Sequence, residues 1–207
     1  MEKKGLIVAF LIGSIMLAGI VKAADQEGIV NVNVIAPGNC TLNFKQGWNL
    51  FSFCSELQDI NLLNILSSIQ GRYRYIMKWN TTSQEFDIYS PIAIQKPFTT
   101  FDDNESYFIY MYEDKNLNVE GDEAGPEYRN LVTGWSTPSY PYRFTTTISN
   151  LISGIIQNFR YLMKWNPTNQ EFDIYSKQAL IKPFNEINIG EGQFIYVYSN
   201  TTLNYQK

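Results

Sequence analysis

Histidine is absent from the chain. Its absence removes Ser-His-Asp and Cys-His nucleophiles, histidine-ligated zinc and the commonest proton shuttle at neutral pH. Basic residues are scarce as well, 16 Lys and Arg against 20 Asp and Glu. Lysines interleaved with aromatics do not make a basic patch when acids surround them, so no nucleic-acid partner is expected. Only two cysteines occur, and once those thiols are joined the remaining catalytic chemistry is that of carboxylates.

What is present begins with an export signal. Residues Met1 to Lys4 carry two lysines, Leu6 to Val21 is an unbroken run of apolar and small residues, and Val21-Lys22-Ala23 follows as a cleavage site. Basic, then apolar, then small is the order of a secretory signal peptide, here residues 1–23. The run is shorter than the roughly 20 residues that span a bilayer comfortably. An alternative stays open, because Lys3-Lys4-Gly5 before an apolar run is similar to prepilin-type signals, cut after the glycine with the helix kept. A membrane partner is expected only if the apolar segment is retained. Cleavage after Ala23 would leave 13 basic and 19 acidic residues, a net charge of −6.

Four sequons, at Asn39, Asn80, Asn104 and Asn200, become candidate glycan sites in an exported chain, whereas Asn166-Pro167-Thr168 is blocked by its proline.

An internal repeat organises the rest. Displaced by 86 residues, Arg74 to Ser90 (RYIMKWNTTSQEFDIYS) aligns with Arg160 to Ser176 (RYLMKWNPTNQEFDIYS), identical at 14 of 17 positions. Lys96-Pro97-Phe98 then meets Lys182-Pro183-Phe184, and Phe108-Ile109-Tyr110 meets Phe194-Ile195-Tyr196. The front of the unit slips by one residue, so that Gly47-Trp48 corresponds to Gly134-Trp135. Two copies are too few for a solenoid, so each is expected to have its own core or to share one with the other. The resulting division is a 24–37 strand and linker, copy one at 38–121, a linker at 122–127 and copy two at 128–207.

Leu62, Ile65, Leu66 and Ile69 follow helical spacing, with Asp59 ahead as a candidate N-cap. Tyr75, Met77 and Trp79 alternate with Arg74 and Lys78, and Phe86 and Ile88 alternate with Glu85, Asp87 and Tyr89. This predicts a β-hairpin with one apolar face and one wet face. Tyr107–Tyr112 and Leu117–Val119 read as a second strand pair, and Pro91 to Asp103 as irregular. Val30 to Val34 alternates strictly and needs an edge to pair with. The fold class is α+β and mostly β: two tandem copies of a small antiparallel-sheet module, each with one short amphipathic helix.

Cys40 and Cys54 lie symmetrically about Gly47, between segments that read as strands around a Lys45-Gln46-Gly47 turn. A hairpin would set them opposite each other as a disulfide, and a loop of this size contributes on the order of 3 kcal/mol.

Paired carboxylates Glu85 with Asp87, and Glu171 with Asp173, have the residue types of glycoside hydrolysis. Their i, i+2 spacing on a strand places them side by side on a solvated face, so no catalytic residue is assigned. Asp102-Asp103-Asn104-Glu105, and Asp122 with Glu123, lack the spacing of an EF-hand and read as turns. No metal or other cofactor is expected. Aromatics are abundant, 14 Tyr, 13 Phe and 4 Trp, and flat rings with polar tips stack on sugars and on partner side chains. Trp79, Trp165, Phe86 and Phe172 read as core, whereas Tyr89, Tyr175, Tyr110 and Tyr196 are the candidate ligand-binding residues.

The opening GWNLFSFC, the hairpin MKWNPTNQEFDIYS and the late GEGQFIYVY together resemble the tandem modules with a Gly-Trp-Asn-Leu signature found in secreted and cell-surface proteins of archaea and bacteria. The resemblance covers residues 47–119 and, more loosely, 134–205, where the signature reads GWSTPSYP. It implies an extracellular, non-enzymatic binding or adhesion module. Envelope carbohydrate and a surface protein are the expected partners, with self-assembly into a filament or surface layer as the alternative.

Overall fold

The computed structural model describes residues 38–205. The expected signal peptide at 1–23, the alternative cleavage after Gly5 and the Val30–Val34 strand lie outside the described residues.

In the first half, β1 (Gly38–Phe44), β2 (Gly47–Ser52) and β3 (Glu56–Leu57) precede the one-turn helix α1 (Leu62–Ile65). The hairpin β4 (Tyr73–Asn80) and β5 (Glu85–Tyr89), then β6 (Ser106–Met111) and β7 (Lys115–Asp122), complete it. The second half runs through β8 (Glu127–Leu131), β9 (Gly134–Ser136), β10 (Thr146–Thr147) and α2 (Ile148–Leu151). The hairpin β11 (Phe159–Asn166) and β12 (Glu171–Ser176) follows, then β13 (Glu186–Ile187), β14 (Phe194–Val197) and β15 (Thr201–Tyr205).

All strand pairings among the described residues are antiparallel. Two four-stranded sheets, β2-β6-β4-β5 and β12-β11-β14-β9, carry the architecture. Beside them lie the smaller sheets β1-β7-β3, β15-β8 and β10-β13. Strand β6 is buried at five of its six positions, as a central strand covered on both faces must be.

Two expected strand pairs are corrected. β1 does not pair with β2: it pairs with β7, and β2 pairs with β6. For the same reason Tyr107–Tyr112 and Leu117–Val119 lie in different sheets. Each connection is a corner between sheets, because alternation fixes which residues face inward but not which strand lies alongside. At the first corner Gly47 has φ +91°, a left-handed conformation that suits glycine. Asn49 holds the bend, its side-chain amide donating to Lys45 O at 2.7 Å and its oxygen accepting from Lys45 N at 2.8 Å. The Cys40–Cys54 disulfide is formed, with Cα atoms 5.5 Å apart, and it ties β1 to the end of β2 across the two sheets. Such a bond is compatible with an extracellular protein. No helix among the described residues is long and apolar enough to cross a membrane.

The expected helix is present but brief, continuing as a 3-10 turn over Ser67–Ile69. Its cap is Asn61, not Asp59: the Asn61 side-chain oxygen accepts from Leu63 N and Asn64 N. Asp59 instead accepts from Asn61 N at 2.8 Å and from the Asn64 amide at 2.7 Å, fixing the approach to the helix.

Among the described residues three clusters make up the core. One, including Leu62, Ile76, Tyr107 and Leu117, lies within the first half. A second, including Ile148, Leu162, Ile195 and Leu203, lies within the second half. The third is shared: Leu50, Phe108 and Phe194 at its centre, ringed by Met77, Trp79 and Phe86 from one half and Met163, Trp165 and Phe172 from the other. The hairpin face expected to be the single apolar one therefore meets the opposite sheet, while its other face, through Tyr73, Ile76 and Tyr89, meets the core of its own half. Trp79, Trp165, Phe86 and Phe172 all lie in the shared layer.

Candidate functional site

The contacts across the shared layer are reciprocal. The Trp79 indole N–H donates to Trp135 O at 3.0 Å, and the Trp165 indole N–H donates to Trp48 O at 2.7 Å. The Gln84 side-chain oxygen accepts from Trp135 N at 3.1 Å, and that of Gln170 from Trp48 N at 2.7 Å. Both glutamines close a hairpin turn at φ 57°, which is why this side chain, outside the strand register, reaches across. Backbone bonds repeat the relation: Ser52 N donates to Gly190 O at 3.0 Å, and Ser139 N to Asn104 O at 2.9 Å. Each of these contacts has a partner with the halves exchanged, as in an isologous interface. Gly47 and Gly134 permit it, because a Cβ there would stand 2.7 and 2.9 Å from Gln170 and Gln84.

The aromatic face that forms this layer continues past its edge toward solvent. Register places Trp48 beside Tyr110 and Tyr110 beside Tyr75 on three adjacent strands. Trp48 meets Phe108 of the shared core at 6.0 Å and the edge of Tyr110 at 5.2 Å, and lies nearly parallel to Tyr75, at 15°. Tyr112 follows, 6.4 Å from Tyr110 and 51% exposed. Arg74 covers the Tyr75 ring at 4.9 Å.

The second half builds the same ladder. Trp135 lies 5.2 Å from Tyr196 and at 18° to Tyr161, and Tyr198, 57% exposed, is 6.1 Å from Tyr196. Arg160 stands over Tyr161 at 4.8 Å and over Tyr196 and Tyr198 at 5.6 Å. Cation–π contact keeps these rings flat under the guanidinium. Each ladder thus runs from a half-buried anchor to an exposed ring, with side-chain conformations fixed by neighbouring rings before any ligand arrives.

Of the four candidate tyrosines, Tyr110 and Tyr196 sit mid-ladder, one in each half. Tyr89 is only 2% exposed. It packs 5.9 Å from Phe98 under the Lys96 ammonium, and burial raises its pKa. Tyr175 is half-buried in the related position, 6.1 Å from Phe184 and under Lys182. These two belong to the cores of their own halves and not to the ladders. The segments 91–97 and 177–183 fold back over them, an arrangement that a strand-alternation argument cannot reveal. Trp48, Trp135, Tyr112 and Tyr198 are not among the ligand-binding candidates read from the sequence, although Gly-Trp and these tyrosines recur in the repeat register.

The carboxylates serve local structure. Asp87 and Asp173 accept from Asn80 and Asn166 beside the hairpin turns. Asp102 accepts from Asn104 N at 3.0 Å, and Asp103 from Leu57 N at 2.9 Å. Among the described residues no group of three His, Cys, Asp or Glu side chains is placed to hold a metal ion. At the sequons, Asn39, Asn104 and Asn200 are exposed. Asn80 is held in its turn, its side-chain oxygen accepting from Thr82 N at 3.0 Å and Ser83 N at 3.2 Å.

Compared with known proteins, the chain matches no family model, no curated protein and no solved structure.

Proposed function

We propose that this is a secreted or cell-surface, non-enzymatic binding protein: two tandem copies of a Gly-Trp-Asn-Leu-type module, packed face to face. Its Trp/Tyr ladders take envelope carbohydrate. The supporting observation is the ladder itself, Trp48, Tyr110 and Tyr112, reproduced at Trp135, Tyr196 and Tyr198. A sugar ring offers C–H groups to an aromatic face and hydroxyls to the tyrosine tips, and rings already fixed in place lose little entropy on binding. A surface protein is the alternative partner for the same rings.

Two ladders in one protein make it bivalent, so a polymeric glycan is held by avidity. Retention on insoluble neutral polysaccharide tests this. Tyr112→Ala alone is expected to weaken retention on the order of 10²-fold by removing one of two linked sites. Tyr112→Ala with Tyr198→Ala is expected to abolish it. Full retention by the double variant would reject the reading.

A structural subunit of a filament or surface layer is the second reading, and a separate observation favours it. Ile92 and Ile94, and at the related loop Leu180 and Ile181, are all more than 80% exposed. Aliphatic tips on both halves would let one protein meet two neighbours. Mass that rises with concentration in sedimentation supports assembly, and a single monomeric species at all concentrations opposes it.

A further inference from the structure

The two halves differ most where the first has GWNLFSFC and the second GWSTPSYP. Strand β9 stops at Ser136, and Pro138 and Pro141 then supply no N–H for a ladder. The chain that follows leaves a cavity of about 490 Å³ in the second half, within the range of small-molecule sites, about 300–1,000 Å³. Tyr140, Tyr142 and Phe144 form one side, and Thr145–Thr147, Asn150, Ser153 and Asn204 contribute the polar groups. No residue lining it carries a charge.

The aromatic wall is rigid. Tyr142 and Phe144 stack at 5.0 Å and 11°, and the Tyr142 hydroxyl stands 2.9 Å from the carbonyl oxygens of Gly125 and Tyr205. Phe144 is 40% exposed, leaving a ring available at the rim. Tyr140 is different: it is 1% exposed, and its hydroxyl makes no hydrogen bond within 3.5 Å, the Thr146 side chain being only a long-range partner. The repeat-related residue of the first half is Phe53, which has no hydroxyl to satisfy and is fully buried. A buried hydroxyl that is incompletely partnered lowers stability, and its place in the wall of a cavity leaves room for a ligand to complete it. Burial raises the Tyr140 pKa to about 12, with Thr146 tempering the shift, so the group is a protonated donor at neutral pH.

We propose that this cavity is a second, separate binding site, confined to the second half, for a neutral hydroxyl-rich ring compound of the saccharide class, stacked on Phe144 and hydrogen-bonded by Tyr140. It shares only a ligand class with the ladders, and neither site depends on the other.

Titration of the full protein with neutral disaccharides (cellobiose, maltose, lactose), followed by backbone amide NMR shifts, tests it. Glucuronic acid serves as the charged counterpart. At least one neutral disaccharide is expected to shift residues 140–154 saturably at millimolar concentration, with glucuronic acid at least 10-fold weaker. Gly154 borders the cavity, and a Cβ there meets nothing within 4 Å. Gly154→Trp therefore fills the space without disturbing the fold and is expected to weaken binding at least 10-fold, as is Tyr140→Phe. Gly154→Ser, the residue found at the related Ser68, is expected to bind normally. Tyr112→Ala with Tyr198→Ala strips the ladders and leaves these shifts intact, which separates failure of the pocket from failure of the ladders. Affinity that grows from cellobiose to cellotetraose identifies the end of a glycan as the source, and constant affinity a free sugar; either supports the pocket. No saturable shift at residues 140–154 from any neutral disaccharide, or unchanged binding in both Gly154→Trp and Tyr140→Phe, overturns it.

Discussion

The two halves share their hairpins, their ladders and the main contacts between them, and differ most along their front strands. The first half braces its front with a disulfide and the seven-residue pairing of β1 with β7. The second has no cysteine there, pairs β8 with β15 over five residues, has the three-residue β9 where the first half has the six-residue β2, and buries Tyr140 in place of Phe53. Around the shared layer the pattern reverses, with matching indole, glutamine and backbone bonds in both directions. A surface that must fit a copy of itself constrains both partners at once, whereas the outer parts of each half are free to diverge.

The largest effect is expected at the centre. Phe108 and Phe194 are each 4% exposed and 6.2 Å apart, so Phe108→Ala and Phe194→Ala should each cost about 3–5 kcal/mol in denaturant unfolding. Near-equal costs would uphold the reciprocity, and a cost confined to one of them would break it. Next comes the disulfide, where Cys40→Ser with Cys54→Ser should lower stability by about 3 kcal/mol. Because the shared layer joins the halves, that loss is expected to shift one common transition and not to release the first half alone.

The smallest effect concerns Glu105. Burial raises its pKa, outweighing the Lys78 ammonium at 3.7 Å, and one carboxylate oxygen lacks a partner. A raised carboxyl pKa means that the folded state holds the proton longer, so stability should fall as pH rises from the ordinary glutamate range through the raised value. Glu105→Gln should flatten that stretch of the stability–pH curve.

Much of this was legible in the sequence. Alternation and the 86-residue register located both hairpins, and helical spacing located α1. The cysteine pair was also readable, but through the wrong geometry, since a corner between sheets brings the two sulfurs together as well as a hairpin would. Pairing partners escaped because β6 and β7 are adjacent in the chain and in different sheets. Tyr89 was misplaced because it shares a strand face with Glu85 and Asp87 near the turn, yet lies at the other end of that face, under Phe98. Ile88, on the opposite face, is 50% exposed for the converse reason: the shared layer ends before reaching it. The ladders were half-readable: Tyr110 and Tyr196 could be named, but the anchoring by Trp48 and Trp135 depends on contact between strands far apart in sequence.

In the proposed function one aromatic face serves twice, its inner end as a shared core and its outer end as a binding surface. Side-chain oxidation footprinting with and without a soluble neutral oligosaccharide tests this directly, because it reads tyrosine accessibility ring by ring. Binding at the ladders is expected to protect Tyr112 and Tyr198 together, leaving Ile92, Ile94, Leu180 and Ile181 as reactive as before. Saturable binding that protects neither tyrosine would contradict a binding role for the ladders.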